Sequence, residues 1–257
     1  TFQKRKRKNS SNLYAQPLNP LLKMRVQFHP DSDGCSEGDV VTDPLDDHLE
    51  QVTSKMLKRP KRLMKHLREA YPIGVPALAM KSTTDRIGAH AGYSFHLGTP
   101  EPELQRIASW VLTRMEGEEE RIETLIGRLW LRFGREDLVL SSLLLANLPD
   151  GTHNLDWRWL TLIDLIKHRR TKFGSIPLEV MLLHIEEMAR AGRIEIPLNL
   201  LNDILDDNDS MQALGILAAH QRYRKGGTPE EVLLALKNSN LPKGDGLLRR
   251  IRDTLLS

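Results

Sequence analysis

Residues 98–148 read GTPEPELQRIASWVLTRMEGEEERIETLIGRLWLRFGREDLVLSSLLLANL. Leu104, Ile107, Ala108, Val111 and Leu112 recur at i, i+3, i+4, i+7 and i+8, the spacing that lays side chains along one stripe of an α-helix. Glu103, Gln105, Arg106 and Ser109 fall off that stripe. Ile122, Leu125, Ile126, Leu129 and Trp130 repeat the device. From Leu138 to Leu148 the chain is apolar almost all round, which predicts a helix at the centre of its layer. Three helical segments with short connections, and few of the alternating β-branched runs that mark strands, set the fold class as all-α.

The same periodicity continues outward. Leu178, Met181, Leu182, Ile185 and Met188 form another stripe, and Met211, Leu214, Leu217 and Ala218 a further one, so helix packs on helix and no sheet is required. Proline punctuates the pattern at Asp43-Pro44, Thr99-Pro100, Ile176-Pro177, Ile196-Pro197 and Thr228-Pro229, where its missing N–H is harmless and its fixed φ suits a helix start. In Thr228-Pro229-Glu230-Glu231, Thr228 is expected to cap the helix and Glu231 to close a capping box. The predicted helices cover 44–56, 58–70, 76–86, 100–115, 119–133, 136–147, 156–170, 177–191, 198–206, 209–224, 229–237 and 244–256. Helix beginnings at 100, 136, 177 and 209 recur roughly every 30–40 residues, the size of one HEAT-type or tetratricopeptide-type unit. The expected architecture is therefore antiparallel helical hairpins stacked as a HEAT-like α-solenoid over residues 43–257.

Composition narrows the function classes. The 257 residues are 28% charged, 40% hydrophobic and 5% aromatic, with a formal net charge of +3, enough to bury a core without metal or disulfide. The single Cys35 forms no internal disulfide and supplies no Cys-based zinc site, which fits a reducing compartment. No apolar run approaches the ~20 residues of a bilayer span, and the first residues lack a signal-peptide core. The expected location is cytoplasmic, or nuclear in a eukaryote, with no membrane contact. The modest net charge conceals blocks of alternating sign. Residues 1–30 carry Lys4, Arg5, Lys6, Arg7, Lys8, Lys23 and Arg25 without an acid, and 31–50 carry eight Asp or Glu without Lys or Arg. Basic residues then return at 55–68. Because the first ~40 residues also lack periodic apolar positions, residues 1–42 are expected to be a disordered charged tail.

Three places invite a chemical reading. The first is the basic block, where Lys55, Lys58, Arg59, Lys61, Arg62 and Lys65 cover one face of a segment whose Met56, Leu57, Leu63, Met64 and Leu67 can pack inward. Such a face neutralises phosphates and binds nucleic acid in a salt-dependent way; equally, it can be a solvated helix paired with the acidic 31–50 segment. The second is Arg169, Arg170 and Lys172 at a helix end, suited to phosphate contact and to the helix dipole alike. The third is Asp156-Trp157-Arg158-Trp159 followed by Asp164, where indoles and carboxylates converge. A carboxylate beside an indole can stabilise a developing cation, while a capped helix with packing tryptophans explains the same residues. Nine histidines are scattered, and His90 and His96 miss the i, i+4 spacing of a helical metal site, so neither metal nor cofactor is expected. No phosphate-binding Gly-rich loop, dinucleotide fingerprint or Gly-x-Ser-x-Gly elbow occurs.

Gly98-Thr-Pro-Glu-Pro-Glu-Leu-Gln-Arg-Ile-Ala108, Leu125-Ile-Gly-Arg-Leu-Trp130 and Gly134-Arg-Glu-Asp-Leu-Val-Leu-Ser-Ser-Leu-Leu-Leu-Ala146 together resemble the opening of the DNA alkylation repair family of HEAT-like DNA glycosylases. The likeness covers residues 98–148, about a fifth of the chain. It implies stacked helical hairpins whose basic face holds duplex DNA, with a Trp and an Asp near the lesion, and it makes Asp164, Trp157 and Trp159 the catalytic candidates. Two features depart from the family. Its Trp precedes the key Asp by four residues, whereas Trp159 and Trp157 precede Asp164 by five and seven; and no Trp-x-Arg-Arg helix follows. The resulting expectation is a nucleic-acid-binding helical-repeat protein related to DNA repair scaffolds, not or only weakly catalytic. The alternatives are a protein–protein adaptor of HEAT-like type and a cofactor-free N-glycosylase releasing alkylated bases.

Overall fold

The computed structural model describes residues 43–78, 80, 92–150, 153–154, 156–168, 176–205, 207, 209–226, 228–238 and 246–257. These belong to one compact unit, Val40–Ser257. The expected disordered tail at 1–42, most of the expected helix 76–86, and Arg169, Arg170 and Lys172 lie outside the described residues. All regular structure among the described residues is helical: α1 (Pro44–Glu50), α2 (Ser54–Leu57), α3 (Pro60–Ala70), α4 (Glu101–Arg114), α5 (Glu119–Arg132), α6 (Arg135–Asn147), α7 (Trp157–His168), α8 (Leu178–Arg190), α9 (Leu198–Leu205), α10 (Asp209–Gly226), α11 (Glu230–Asn238) and α12 (Gly246–Leu256). The described part of the chain is all-α, as the periodicity predicts.

Burial follows the apolar stripes. Leu104, Ile107, Ala108 and Val111 of α4 are buried, as are Ile122, Leu125, Ile126, Leu129 and Trp130 of α5 and every residue of α6 from Glu136 to Ala146. The apolar helix is central, with α4, α5 and α8 packed against it. A row of packed helices joins every second one: α4 on α6, α6 on α8, α8 on α10, and α10 on α12. Alongside that row, α5 packs on α6 and α3, and α9 on α10 and α11.

Proline placement refines several boundaries. The expected helix 44–56 is two, because Val52 and Thr53 leave the helix and Thr53 is extended with ψ 155° before α2. The expected start at 58 moves to Pro60, since the residue before a proline is pushed out of the α region and Arg59 sits at φ −124°, ψ 89°. Pro100 and Pro177 stand one residue before their helices rather than at the first helical position. The capping box at α11 does not form: Thr228 Oγ1 is buried without a partner, although the helix itself is present.

Phe133 ends α5 in the left-handed region, φ 60°, where a glycine would normally serve. Glycine is needed one residue later. A Cβ on Gly134 would lie 2.0 Å from Phe95 Cζ, so the Phe95 ring rests directly on the backbone that opens α6.

Candidate nucleic-acid interface

Helix α3 is amphipathic, with Leu63, His66, Leu67 and Ala70 buried and Lys61, Arg62, Lys65, Arg68 and Glu69 exposed. Lys61, Lys65 and Arg68 stand at i, i+4 and i+7, one stripe, with Arg62 beside it and Lys55, Lys58 and Arg59 exposed on the approach through α2. The exposed Lys65 and Glu69 form a long 3.7 Å pair. Among the described residues no carboxylate pairs with Lys55, Lys58, Arg59, Lys61 or Arg62. Two acids at the start of the described chain are engaged elsewhere: Arg106 of α4 binds Asp43 at 3.0 Å and Asp46 at 2.7 Å, besides Glu103 of its own helix at 2.8 Å. The Arg106 hydrogen bond holds the Asp43 carboxyl below the usual carboxylate range.

A buried polar clamp fixes the basic helix to the core. Asp137, in the first turn of α6, accepts hydrogen bonds from Tyr71 Oη at 2.8 Å and from Nε and Nη2 of Arg132. Arg132 Nη1 donates to the Met64 carbonyl of α3 at 2.8 Å, and Thr99 Oγ1 donates to the Tyr71 carbonyl at 2.8 Å. Burial pushes the Asp137 carboxyl up, opposed by Arg132 and the Tyr71 hydroxyl. The neighbouring Glu136 accepts from the backbone N–H groups of Leu97 and Gly98 at 2.8 and 2.9 Å, and burial raises its carboxyl too. Both acids lie where a helix N-terminus favours negative charge. The Arg68 guanidinium lies over the Phe95 ring, 4.5 Å from its centroid, so the stripe's last cation is held against the same ring that covers Gly134.

The indole candidates sit apart from the carboxylate candidate. Trp159 is buried and donates through Nε1 to the Glu195 carbonyl at 2.8 Å. It lines a half-open cleft of about 500 Å³ together with Asp150, Asp156, Arg158, Arg193 and Arg222. Trp157 is buried at the start of α7, stacked on His153 with ring centroids 4.7 Å apart and covered by the Arg158 guanidinium. Asp164 is exposed and lines a different groove, of about 430 Å³, with Glu120 and Glu123 of α5. Three carboxylates on one groove repel phosphates.

In the sequence Arg158 is marked only by its place in the Trp-Arg-Trp run. It is the most deeply buried cation described, 2% exposed, donating to the carbonyls of Leu145 and Leu148 and to Asp150. Arg193 reaches the same carboxylate at 3.3 Å. Burial alone would raise Asp150; Arg158 and Arg193 outweigh it and hold the carboxyl low. No sequence signal marks Asp150 as this hub, because its partners come from positions 158 and 193.

No helix among the described residues is long and apolar enough to cross a membrane. No protein-family model, no curated protein and no solved structure matches the chain.

Proposed function

We propose that this protein binds nucleic acid through the basic face of α2 and α3, as a non-catalytic or weakly catalytic scaffold related to DNA repair proteins of the HEAT-like type. The observation that carries the reading is the set of exposed cations at 55–62 with no carboxylate partner among the described residues, on a helix clamped to the core by Arg132, Asp137 and Tyr71. Cations already neutralised by acids release few counterions on meeting a phosphate backbone; unpaired ones release the most. The resemblance of residues 98–148 to the DNA alkylation repair family supports duplex DNA as the ligand, and Arg169, Arg170 and Lys172 are proposed as further phosphate contacts.

The test is a fluorescence-anisotropy titration of a DNA duplex and the matching RNA across a salt series, with and without residues 1–42. A face engaging four or five phosphates gives a slope of log affinity on log salt of about −4. Reversing Lys58, Arg59, Lys61 and Arg62 to Glu is expected to weaken binding about 100-fold or more at moderate salt and to flatten that slope. Unchanged affinity in this variant, or no binding at low salt, sinks the proposal.

One observation favours a protein adaptor as the second reading: Leu234, Leu247 and Leu256 are exposed at 58%, 45% and 38% on the last two helices. An adaptor would bind its partner with little salt dependence. The enzymatic alternative makes a separate prediction. If Asp164 stabilises a developing glycosyl cation, base release from alkylated DNA vanishes in Asp164→Asn; with Trp157 and Trp159 buried away from the Asp164 groove, no measurable release by either chain is the expected outcome.

A further inference from the structure

His48 of α1 and His66 of α3 lie 18 residues apart in sequence and face to face in the fold, ring centroids 3.9 Å apart and planes within 7°. Each ring reaches the main chain of the other helix: His66 Nε2 lies 2.9 Å from the His48 carbonyl oxygen and His48 Nε2 lies 3.1 Å from the His66 carbonyl oxygen. A carbonyl can only accept, so each Nε2 carries the proton and donates it. In the neutral rings both Nδ1 atoms therefore hold a free lone pair. Glu69 stands three residues after His66, on the same side of α3, and one ligand atom from each of His48, His66 and Glu69 lies within 4.8 Å of the other two. Among the described residues no other trio of His, Cys, Asp or Glu comes so close.

We propose that His48, His66 and Glu69 bind a divalent transition-metal ion, with Zn²⁺ the species that suits two imidazole nitrogens and one carboxylate. Two features of the site support this. Imidazoles that ligate metals characteristically donate their other N–H to a backbone carbonyl or carboxylate, which fixes the tautomer and orients the ring, and both rings already do so. Among the described residues the third ligand is held only by an exposed ammonium, Lys65, at 3.7 Å, which an ion displaces readily.

The ion would require movement. Tetrahedral coordination at bond lengths of about 2.0–2.1 Å brings ligand atoms to about 3.4 Å from one another, closer than the 4.8 Å limit within which the three now lie. Lone pairs also lie in the ring planes, so two stacked rings must tilt apart to share one ion. The exposed Glu69 side chain can close its part of the gap by a rotamer change. The expected consequence is an ion stapling the short α1 to the helix that carries the basic face. The proposal stands whether or not that face binds nucleic acid.

The experiment is a Zn²⁺ titration of the full chain, first stripped with chelator, by isothermal calorimetry, with thermal unfolding recorded in parallel. The unsubstituted chain is expected to bind one Zn²⁺ with micromolar or tighter affinity and to unfold at higher temperature when loaded. Glu69→Gln, which alters only an exposed side chain, is expected to weaken this site at least 10-fold. His48→Gln, checked for an unchanged helical circular dichroism spectrum, is expected to remove it. No binding by the unsubstituted chain at 100-fold excess over a micromolar dissociation constant overturns the proposal. So does binding that Glu69→Gln leaves untouched, which would assign the ion to other histidines.

Discussion

Lys61 and Arg62 on α3 and Arg132 and Arg158 in the interior are the same kind of residue in opposite circumstances. The interior pair is fully committed: Arg132 is shared between Asp137 and the Met64 carbonyl, and Arg158 between Asp150 and two carbonyls at the end of α6. The surface pair has no carboxylate partner among the described residues. A buried cation without a partner is costly, so the fold supplies one; an exposed cation costs nothing to leave alone. Unpaired cations therefore collect where stability does not decide their identity, and it is there that a ligand can recruit them. The two sets are also joined, since Arg132 holds the backbone of the helix that displays Lys61 and Arg62.

The most severe way to break this contrast is Asp137→Ala. It strips Arg132 of its carboxylate and leaves the Tyr71 hydroxyl without an acceptor, both in or near the core. Removing one partner of a buried ion pair typically costs about 3–5 kcal/mol, and urea unfolding is expected to show a loss of that order. A loss below about 1 kcal/mol would mean that the clamp is solvated and that α3 is held by its apolar face alone.

A buried group with no hydrogen-bond partner among the described residues sharpens the same contrast. His184 of α8 is 1% exposed, lies 5.4 Å from the Trp130 ring, and neither ring nitrogen has a hydrogen-bond partner. Burial pushes its pKa down to about 3, below the ordinary 6.5. The folded state thus resists protonation that the unfolded chain accepts. The stability tied to the neutral ring is whole above pH 6.5 and lost progressively as pH falls from about 6.5 toward 3. By pH 5 the loss amounts to about 2 kcal/mol. His96, lowered to about 4 by burial and the nearby Arg135, works in the same direction. Glu136 and Glu187, raised by burial, work against both. The comparison of the unsubstituted chain with His184→Leu isolates the imidazole. The variant is expected to be at least as stable at pH 7.5, and its advantage to grow by about 2 kcal/mol at pH 5. A constant difference between the two pH values would show that His184 is not what makes the fold acid-sensitive.

Periodicity alone made the interior legible. Leu104 to Val111, Ile122 to Trp130 and Met211 to Ala218 are buried where their spacing places them, and α6 is central because it is apolar all round. The polar interior was not legible. Glu136 and Asp137 read as ordinary first-turn acids, and only Tyr71, Leu97 and Gly98, arriving from other segments, make them buried acceptors. The same holds for His48 and His66, separated by a helix break that the unbroken pattern over 44–56 conceals. Local spacing reports which face a residue occupies, whereas a constellation assembled from distant segments needs the topology. The basic face was legible because all its members lie within one short stretch. Trp157, Trp159 and Asp164 also share one stretch, yet the start of α7 buries the indoles while Asp164 opens on an acidic groove with Glu120 and Glu123.

The smallest expected effect is the one that most directly separates the two classes of cation. Lys61→Gln removes an exposed charge with no carboxylate partner among the described residues, so the unfolding free energy is expected to shift by less than about 0.5 kcal/mol. If Lys61 meets a phosphate, the same change removes one released counterion and reduces the salt slope of binding by about 0.9 in magnitude. A residue that is silent in stability and visible in the salt slope belongs to the binding surface. A residue that shifts both, as any change at Arg132 must because it touches the core as well as the backbone of α3, belongs to the frame that holds that surface. If Lys61→Gln instead destabilised the fold by more than 1 kcal/mol, its charge would have an intramolecular role, and the case for a free basic face would fail at its central residue.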